Sequence, residues 1–225
     1  MKLLAGRWQV GTLLRRYQRF LADVRLQGGE IITAHCPNTG AMTNCWAPGD
    51  QVYLSESNDP KRRTRFTLEI VCHQGHRIGI HSRRANDLVA DGLNQGRLEG
   101  FEGHSDVVRE HRFLDSRVDF KLMYPQGNAM LIEVKSVTYH SAKGLGVFPG
   151  APSARALKHR SALFSARAQG LQAALVFCVG RSGIQRVGPA LDIDPAYGAR
   201  LAVAGAQGVL MKACKVGFRL PYAAI

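Results

Sequence analysis

Two folds in tandem are predicted from this sequence: a small β-barrel over residues 1–80 and an α/β domain over residues 81–225. Three observations predict them. The first 80 residues carry short apolar runs broken by turn chemistry, with little helical periodicity. Beyond His81 the spacing changes to that of helices alternating with strands. A length of 225 residues with 45% hydrophobic content is enough to bury two small cores.

In the first domain, residues 7–16 and 19–27 place apolar side chains at strand-like intervals, Gly28-Gly29 makes a turn, and residues 30–35 continue the pattern. Pro37-Asn38-Thr39-Gly40, Pro48-Gly49-Asp50 and Asn58-Asp59-Pro60 then punctuate the chain. Strands follow at 66–72 and 77–81, joined through Gly75. Five or six short strands in some 80 residues suit a small barrel, and the oligonucleotide-binding (OB) type is the first choice among such barrels.

In the second domain, Ala85, Leu88, Val89 and Leu93 fall on one face of an amphipathic helix. Residues 107–113, 117–123 and 129–137 read as three strands, the last two forming a hairpin through Pro125-Gln126-Gly127-Asn128. A helix at 154–168, a continuously apolar strand at 173–179, a helix at 195–206 and a strand at 208–215 complete an α/β layer covered on its faces.

The formal charge of +13 and pI near 10.0 point to a polyanionic partner. From Lys135 onward twelve Lys or Arg face two acids, Asp192 and Asp194, an excess that repels itself unless a nucleic acid lies alongside. No run approaches the roughly 18 apolar residues of a spanning helix, and the apolar stretch in MKLLAGRWQVG is too short for a signal-peptide core. A cytoplasmic protein with no membrane association is expected. Five cysteines at irregular spacings, without a C-x-x-C pair, suggest reduced core thiols. His35 and Cys36 are adjacent, so on a strand they face opposite ways.

The chemistry lies in the hairpin of the second domain. Asp119 precedes Glu133 with thirteen residues between them, and Lys135 follows in Leu131-Ile132-Glu133-Val134-Lys135. Positions two apart on a strand share a face, so Glu133 and Lys135 project together, and hairpin pairing brings Asp119 alongside. The flanking Ile132 and Val134 imply a buried strand, where unpaired ions are expensive. Two converging carboxylates repel each other unless a hard cation neutralises them, and Mg2+ or Mn2+ fits. Such an ion polarises a phosphodiester oxygen and lowers the pKa of bound water, while the lysine holds the nucleophile or stabilises the developing phosphorane charge. An ordinary exposed strand carrying charges at i and i+2 is the alternative.

These residues complete a set of motifs. They are R-R-Y-Q-R-F-L-A-D-V at 15–24, H-C-P-N-T-G-A-M at 35–42, N-D-P-K-R-R-T at 58–64, S-R-V-D-F at 116–120, I-E-V-K-S-V-T at 132–138 and F-P at 148–149, with Arg155 and Lys158-His159 beyond. In this order, over nearly the whole chain, the sequence resembles the sugar fermentation stimulation protein A family. The resemblance implies an OB-like barrel joined to a PD-(D/E)xK nuclease-like α/β domain. It also implies DNA binding without sequence specificity and a link to regulation of sugar, particularly maltose, metabolism. By position it makes Asp119 and Glu133 the metal carboxylates and Lys135 the catalytic lysine.

The sequence also departs from that family. Val118 stands before Asp119 instead of proline, Gly150 stands where relatives carry aspartate in F-P-D-A, and Ala156 follows Arg155 where they carry glycine. Asp115 replaces a frequent asparagine, and the tail after Lys215 is short. Loss of the acid at 150 makes a weaker metal site, and DNA binding without turnover is the alternative reading.

Phosphate contacts are expected from Lys61, Arg62, Arg63 and Arg65 in the loop after Pro60, and from Arg155, Lys158 and His159 on the helix after the hairpin. Trp8, Tyr17, Phe20, Trp46, Tyr53 and Phe66 include candidate stacking platforms for bases, most of them core. Asn38 and Gly40 read as a structural turn, and Asn86 and Asp87 stand on the helix that in this fold can supply a further metal ligand. Three functions fit: a divalent-metal-dependent nuclease acting on DNA or RNA, a DNA-binding regulator on a nuclease scaffold, and an interaction module for an acidic protein partner.

Overall fold

The computed structural model describes residues 7–141, 144–148, 162–219 and 222–224. The barrel consists of β1 (Trp8–Tyr17), β2 (Leu21–Leu26), β3 (Ile31–His35), β4 (Gln51–Glu56), β5 (Phe66–His73) and β6 (His76–Gly79). They pair in the order β3-β2-β1-β4-β5-β6, and parallel pairing of Ala34 with Phe66 and His35 with Thr67 closes the sheet. Alternation fills the interior, since Leu13, Val24, Val52, Leu54, Leu68 and Val71 all bury their side chains in one cluster. Closure also needs Gly11 in β1, where a Cβ would lie 2.5 Å from Val24 Cγ1 and 2.7 Å from Arg25 O. Those separations are far inside normal van der Waals contact.

One barrel strand has no counterpart in the sequence expectations. β4 alternates only briefly, with Val52 and Leu54 buried, and it sits between two turn clusters that hide its period. β2 starts at Leu21 instead of residue 19 because residues 18–20 form the turn from β1. β6 ends at Gly79, where its edge leaves the barrel. Gly79 N donates to Gly180 O at 2.8 Å and Ile78 bridges Arg181, tying the barrel to the second domain.

The second domain runs α1 (Arg83–Asn94), β7 (Asp106–Phe113), β8 (Ser116–Met123), β9 (Ala129–Val137), β10 (Leu145–Phe148), α2 (162–168), β11 (Gln172–Val179), β12 (Arg186–Pro189), α3 (Pro195–Ala206), β13 (Leu210–Lys215), β14 (Gly217–Arg219) and β15 (Tyr222–Ala224). Its main sheet has the order β13-β11-β9-β8-β7. β8 runs antiparallel to its neighbours β7 and β9, whereas β9, β11 and β13 are parallel. Ala85, Leu88, Val89 and Leu93 of α1 cover one face, on Phe120, Leu122, Ile132 and Val134. Ala162, Leu163 and Ala166 of α2, with Leu201 and Ala204 of α3, cover the other, on Leu131, Val137, Leu175 and Phe177. β9 is thus sandwiched between two apolar layers, which is why Glu133 on it is buried.

Asp194 caps α3 by accepting from Tyr197 N at 2.8 Å, and Pro195 opens the helix. The helix expected at 154–168 is described from residue 162 on, and there it is helical; 154–161 lie outside the described residues. The last expected strand begins at Leu210 instead of 208 because Gly208, with φ of 79°, forms the turn that ends α3. Two small pairings are additions: parallel β10–β12, and the β14–β15 hairpin, whose three- and four-residue strands are too short to show a period. All five cysteines are free thiols, four of them buried. Among the described residues no helix is long and apolar enough to cross a membrane.

Candidate active site and nucleic-acid surface

β8 and β9 pair from Met123 with Ala129 to Phe120 with Ile132, and there the ladder stops. Asp119 is the next residue of β8. Its Oδ2 accepts the Val134 N–H at 2.7 Å, so a side-chain carboxylate occupies the place of the missing ladder acceptor where the strands diverge. Its Oδ1 accepts Asn86 Nδ2 of α1 at 2.7 Å. Glu133 and Lys135 share one side of β9, and Lys135 Nζ donates to Glu133 Oε1 at 2.6 Å. Glu133 is 6% exposed, and the lysine side chain is 22% exposed.

The electrostatics follow from that placement. Burial, and then the neighbouring Glu133 carboxylate, push the Asp119 carboxyl from an ordinary 3.8 up to about 6, against the hydrogen bonds from Val134 and Asn86 that favour its anion. Repulsion between the two acids is therefore real and only partly relieved. Lys135 neutralises one side of the pair. Of the two α1 residues singled out in the sequence, Asn86 reaches the site and Asp87 turns away, to Arg109 at 2.7 Å and Arg84 at 3.7 Å. Sequence periodicity places Asn86 on the right helix but says nothing about the gap between β8 and β9 that admits its amide.

A cleft of about 640 Å³ opens beside these groups. Asn38, Gly40 and Met42 of the barrel wall it on one side, and Asn86, Lys135, Ser136 and Tyr139 on the other. Asn38 is a turn residue as read, its Oδ1 accepting Gly40 N at 2.9 Å, but its Nδ2 also donates to Ile80 O at 3.1 Å and fixes the barrel loop to the inter-domain segment. Cys36 is buried in the barrel core and makes no site with His35.

The expected phosphate contacts divide into three groups. Lys61, Arg62 and Arg63 are exposed on the barrel loop, and Arg62 Nη2 also donates to Thr67 Oγ1 at 2.6 Å. Arg65 pairs with Glu56 and lies over the Phe66 ring, 5.6 Å from its centroid. Arg155, Lys158, His159 and the departure at Gly150 lie outside the described residues. Of the six aromatics considered for stacking, Phe20 is the exposed one, at 46%.

Fold and site together define a two-domain protein that joins an OB barrel to a PD-(D/E)xK nuclease-like α/β domain. Residues 14–80 match the SfsA N-terminal OB domain, and residues 83–221 match the sugar fermentation stimulation protein RE domain. The chain belongs to the sugar fermentation stimulation protein A (SfsA) family. It is 46% identical over 201 residues to the sugar fermentation stimulation protein homolog of Saccharophagus degradans, covering 88% of this chain and 86% of that protein. It is 45% identical over 205 residues to the homolog of Thioalkalivibrio sulfidiphilus, covering 90% and 86%. The solved structure of Pyrococcus furiosus SfsA in complex with Ca2+ superimposes with a TM-score of 0.86 at 25% identity, over 100% of this chain and 96% of that one.

Proposed function

We propose that this protein binds DNA without sequence specificity and cleaves phosphodiesters at Asp119, Glu133 and Lys135 with a divalent cation. The observation that carries this reading is the insertion of Asp119 between diverging strands, beside a buried Glu133 that is itself bonded to Lys135. Residues 1–80 then serve as a nucleic-acid-binding domain and residues 81–225 as the domain that holds the reaction site.

The donor set fits a hard cation. Two carboxylates, one of them with its pKa raised by burial and by the other, make a site that a divalent ion would relieve. Among the described residues no group of three or more His, Cys, Asp or Glu side chains converges for a metal. Two carboxylates suit Mg2+ or Mn2+, which keep several waters and take one or two protein carboxylates. The Ca2+ complex of the Pyrococcus furiosus relative supports a divalent site in this family. Asp119 and Glu133 would hold such an ion, and Lewis-acid polarisation of a phosphodiester oxygen is the chemistry it would supply.

The remaining work belongs to the chain. Asn86 and the Val134 N–H hold the Asp119 carboxylate in one orientation, so no reorganisation is needed when substrate arrives. Glu133 fixes the ammonium of Lys135 at the edge of the cleft, where it donates to a phosphate oxygen and stabilises negative charge building on phosphorus. DNA is the polyanion that a +13 chain collects, and the sugar-fermentation link of the family is read as acting through that DNA.

Plasmid nicking and oligonucleotide degradation with Mg2+ or Mn2+ test the enzyme reading. Glu133→Ala and Lys135→Ala should each lower the rate by at least about 100-fold while leaving thermal unfolding cooperative. Cleavage unchanged in both variants removes it. DNA binding with no cleavage by the wild type, under either metal, leaves the regulator reading in its place.

A further inference from the structure

We infer that the nucleic acid is taken as a single strand, with a base stacked on Phe20 at the β1–β2 turn and the strand led past residues 38–40 into the cleft at Lys135. The inference rests on the nucleic-acid-binding reading above and names its substrate class.

The turn itself is the first observation. Gln18 and Arg19 both hold positive φ, 47° and 66°. Three residues, 18–20, link the paired Tyr17 and Leu21, and left-handed conformations in hairpin loops normally fall to asparagine or glycine. Two long side chains adopt them here, a strained choice of the kind that collects at functional sites. Its result is that Phe20 stands out from the barrel, 46% exposed, while Ala22 and Val24 further along β2 are buried. A groove of about 550 Å³ is lined by Phe20, Thr33, Arg63 and Arg65, of which Arg65 is already paired with Glu56. No acidic side chain lines it among the described residues. An exposed aromatic ring in one groove with an exposed arginine, Arg63, offers a stacking surface for a base and charge for its phosphates.

The second observation connects this groove to the cleft. Arg16 Nη2 donates to Arg19 O at 2.5 Å, Asn38 O at 2.7 Å and Gly40 O at 3.0 Å, and Arg19 Nε donates to Thr39 O at 3.1 Å. Residues 38–40 therefore brace the Phe20 turn on one side and wall the Lys135 cleft on the other. The cleft's volume, about 640 Å³, lies in the range that encloses a small molecule. A base can lie flat on the Phe20 ring only when it is out of a base pair, which a duplex does not offer away from its ends. An unpaired strand enters, its backbone passing the barrel wall and its bases free to reach the ring.

Fluorescence anisotropy of labelled oligodeoxyuridylate, oligouridylate and a blunt duplex of equal length, in EDTA to prevent turnover, tests this on the full chain. The wild type should prefer single strands, and Phe20→Ala should weaken them about 10-fold while moving duplex affinity less than about 2-fold. Phe20→Trp should keep the affinity, and its emission should be quenched by the stacked base. Equal binding of the two oligomers assigns recognition to base and phosphate, and a preference between them adds the sugar to it. Duplex bound as tightly as single strands, or Phe20→Ala binding single strands like the wild type, overturns the track and leaves nucleic-acid binding standing. Failure of the wild type to bind any of the three at low salt overturns both.

Discussion

Asp119 carries a charge that its surroundings resist, and that resistance is measurable. Its folded-state pKa of about 6 lies above the ordinary 3.8, so the native state holds the proton more tightly than the unfolded chain does. Ionisation therefore lowers stability progressively as pH rises from about 4 to about 6, by roughly 1–2 kcal/mol once partial solvation is allowed for. Urea unfolding in EDTA across that window should show the loss in the wild type and not in Asp119→Asn; parallel curves for the two proteins would contradict the placement of this carboxylate. Saturating Ca2+ or Mg2+ at neutral pH should restore the wild type by about 2–3 kcal/mol at 100 times the dissociation constant, with little effect on the variant. Glu133 and Lys135 were legible in sequence because a strand's period of two is local. The partnership of Asp119 with Asn86 was not, because it joins a helix to a strand 33 positions away.

Elements show the same division. α1 was readable from its apolar spacing and α3 was expected over its full length, whereas β4 escaped because its alternation is shorter than the turn signals around it. The pairing of β1 with β2 depends on Gly11, whose missing side chain lets Val24 and the Arg25 carbonyl approach. Gly11→Ala should destabilise the barrel by about 1–3 kcal/mol, since the clash includes backbone that cannot rotate away. Chemical denaturation checks this, and an unchanged midpoint would mean that the strands separate without penalty. The β1–β2 turn shows why sequence marks Phe20 only as an aromatic among six: exposure is decided by two positive φ angles that no residue type there announces.

At the scale of the molecule, barrel and α/β domain are joined by chemistry as well as by chain. Arg84 of α1 reaches back to Glu69 of β5, with Nη2 3.0 Å from Oε1 and Nε 3.3 Å from Oε2, and Ser55 Oγ donates to the same carboxylate at 2.8 Å. The Glu69 side chain is 2% exposed, so removing its cation strands a buried charge. Arg84→Met should lose about 2–4 kcal/mol and split calorimetric unfolding into two transitions; a single transition at the wild-type temperature would show that the pair does not couple the domains. The +13 charge acts over the whole surface as well. Lys61 and Arg63 are exposed and make no ion pair among the described residues, which leaves both available to phosphates. In titrations of DNA affinity against salt, Lys61→Ala combined with Arg63→Ala should reduce the log–log slope by about 2. An unaltered slope would place the DNA elsewhere.

The sequence by itself determined the division into barrel and α/β domain, the strand faces that carry Glu133 and Lys135, the basic surplus and the family. Those properties rest on short-range periodicity, composition and ordered motifs, which survive without coordinates. Only the tertiary structure decided that β8 and β9 part at Asp119, that Asn86 fills the gap, that Asn38 and Gly40 wall the cleft at Lys135 and that Phe20 faces solvent. Each of these depends on where distant segments meet, and such meetings are set by packing and barrel closure, which no local pattern encodes.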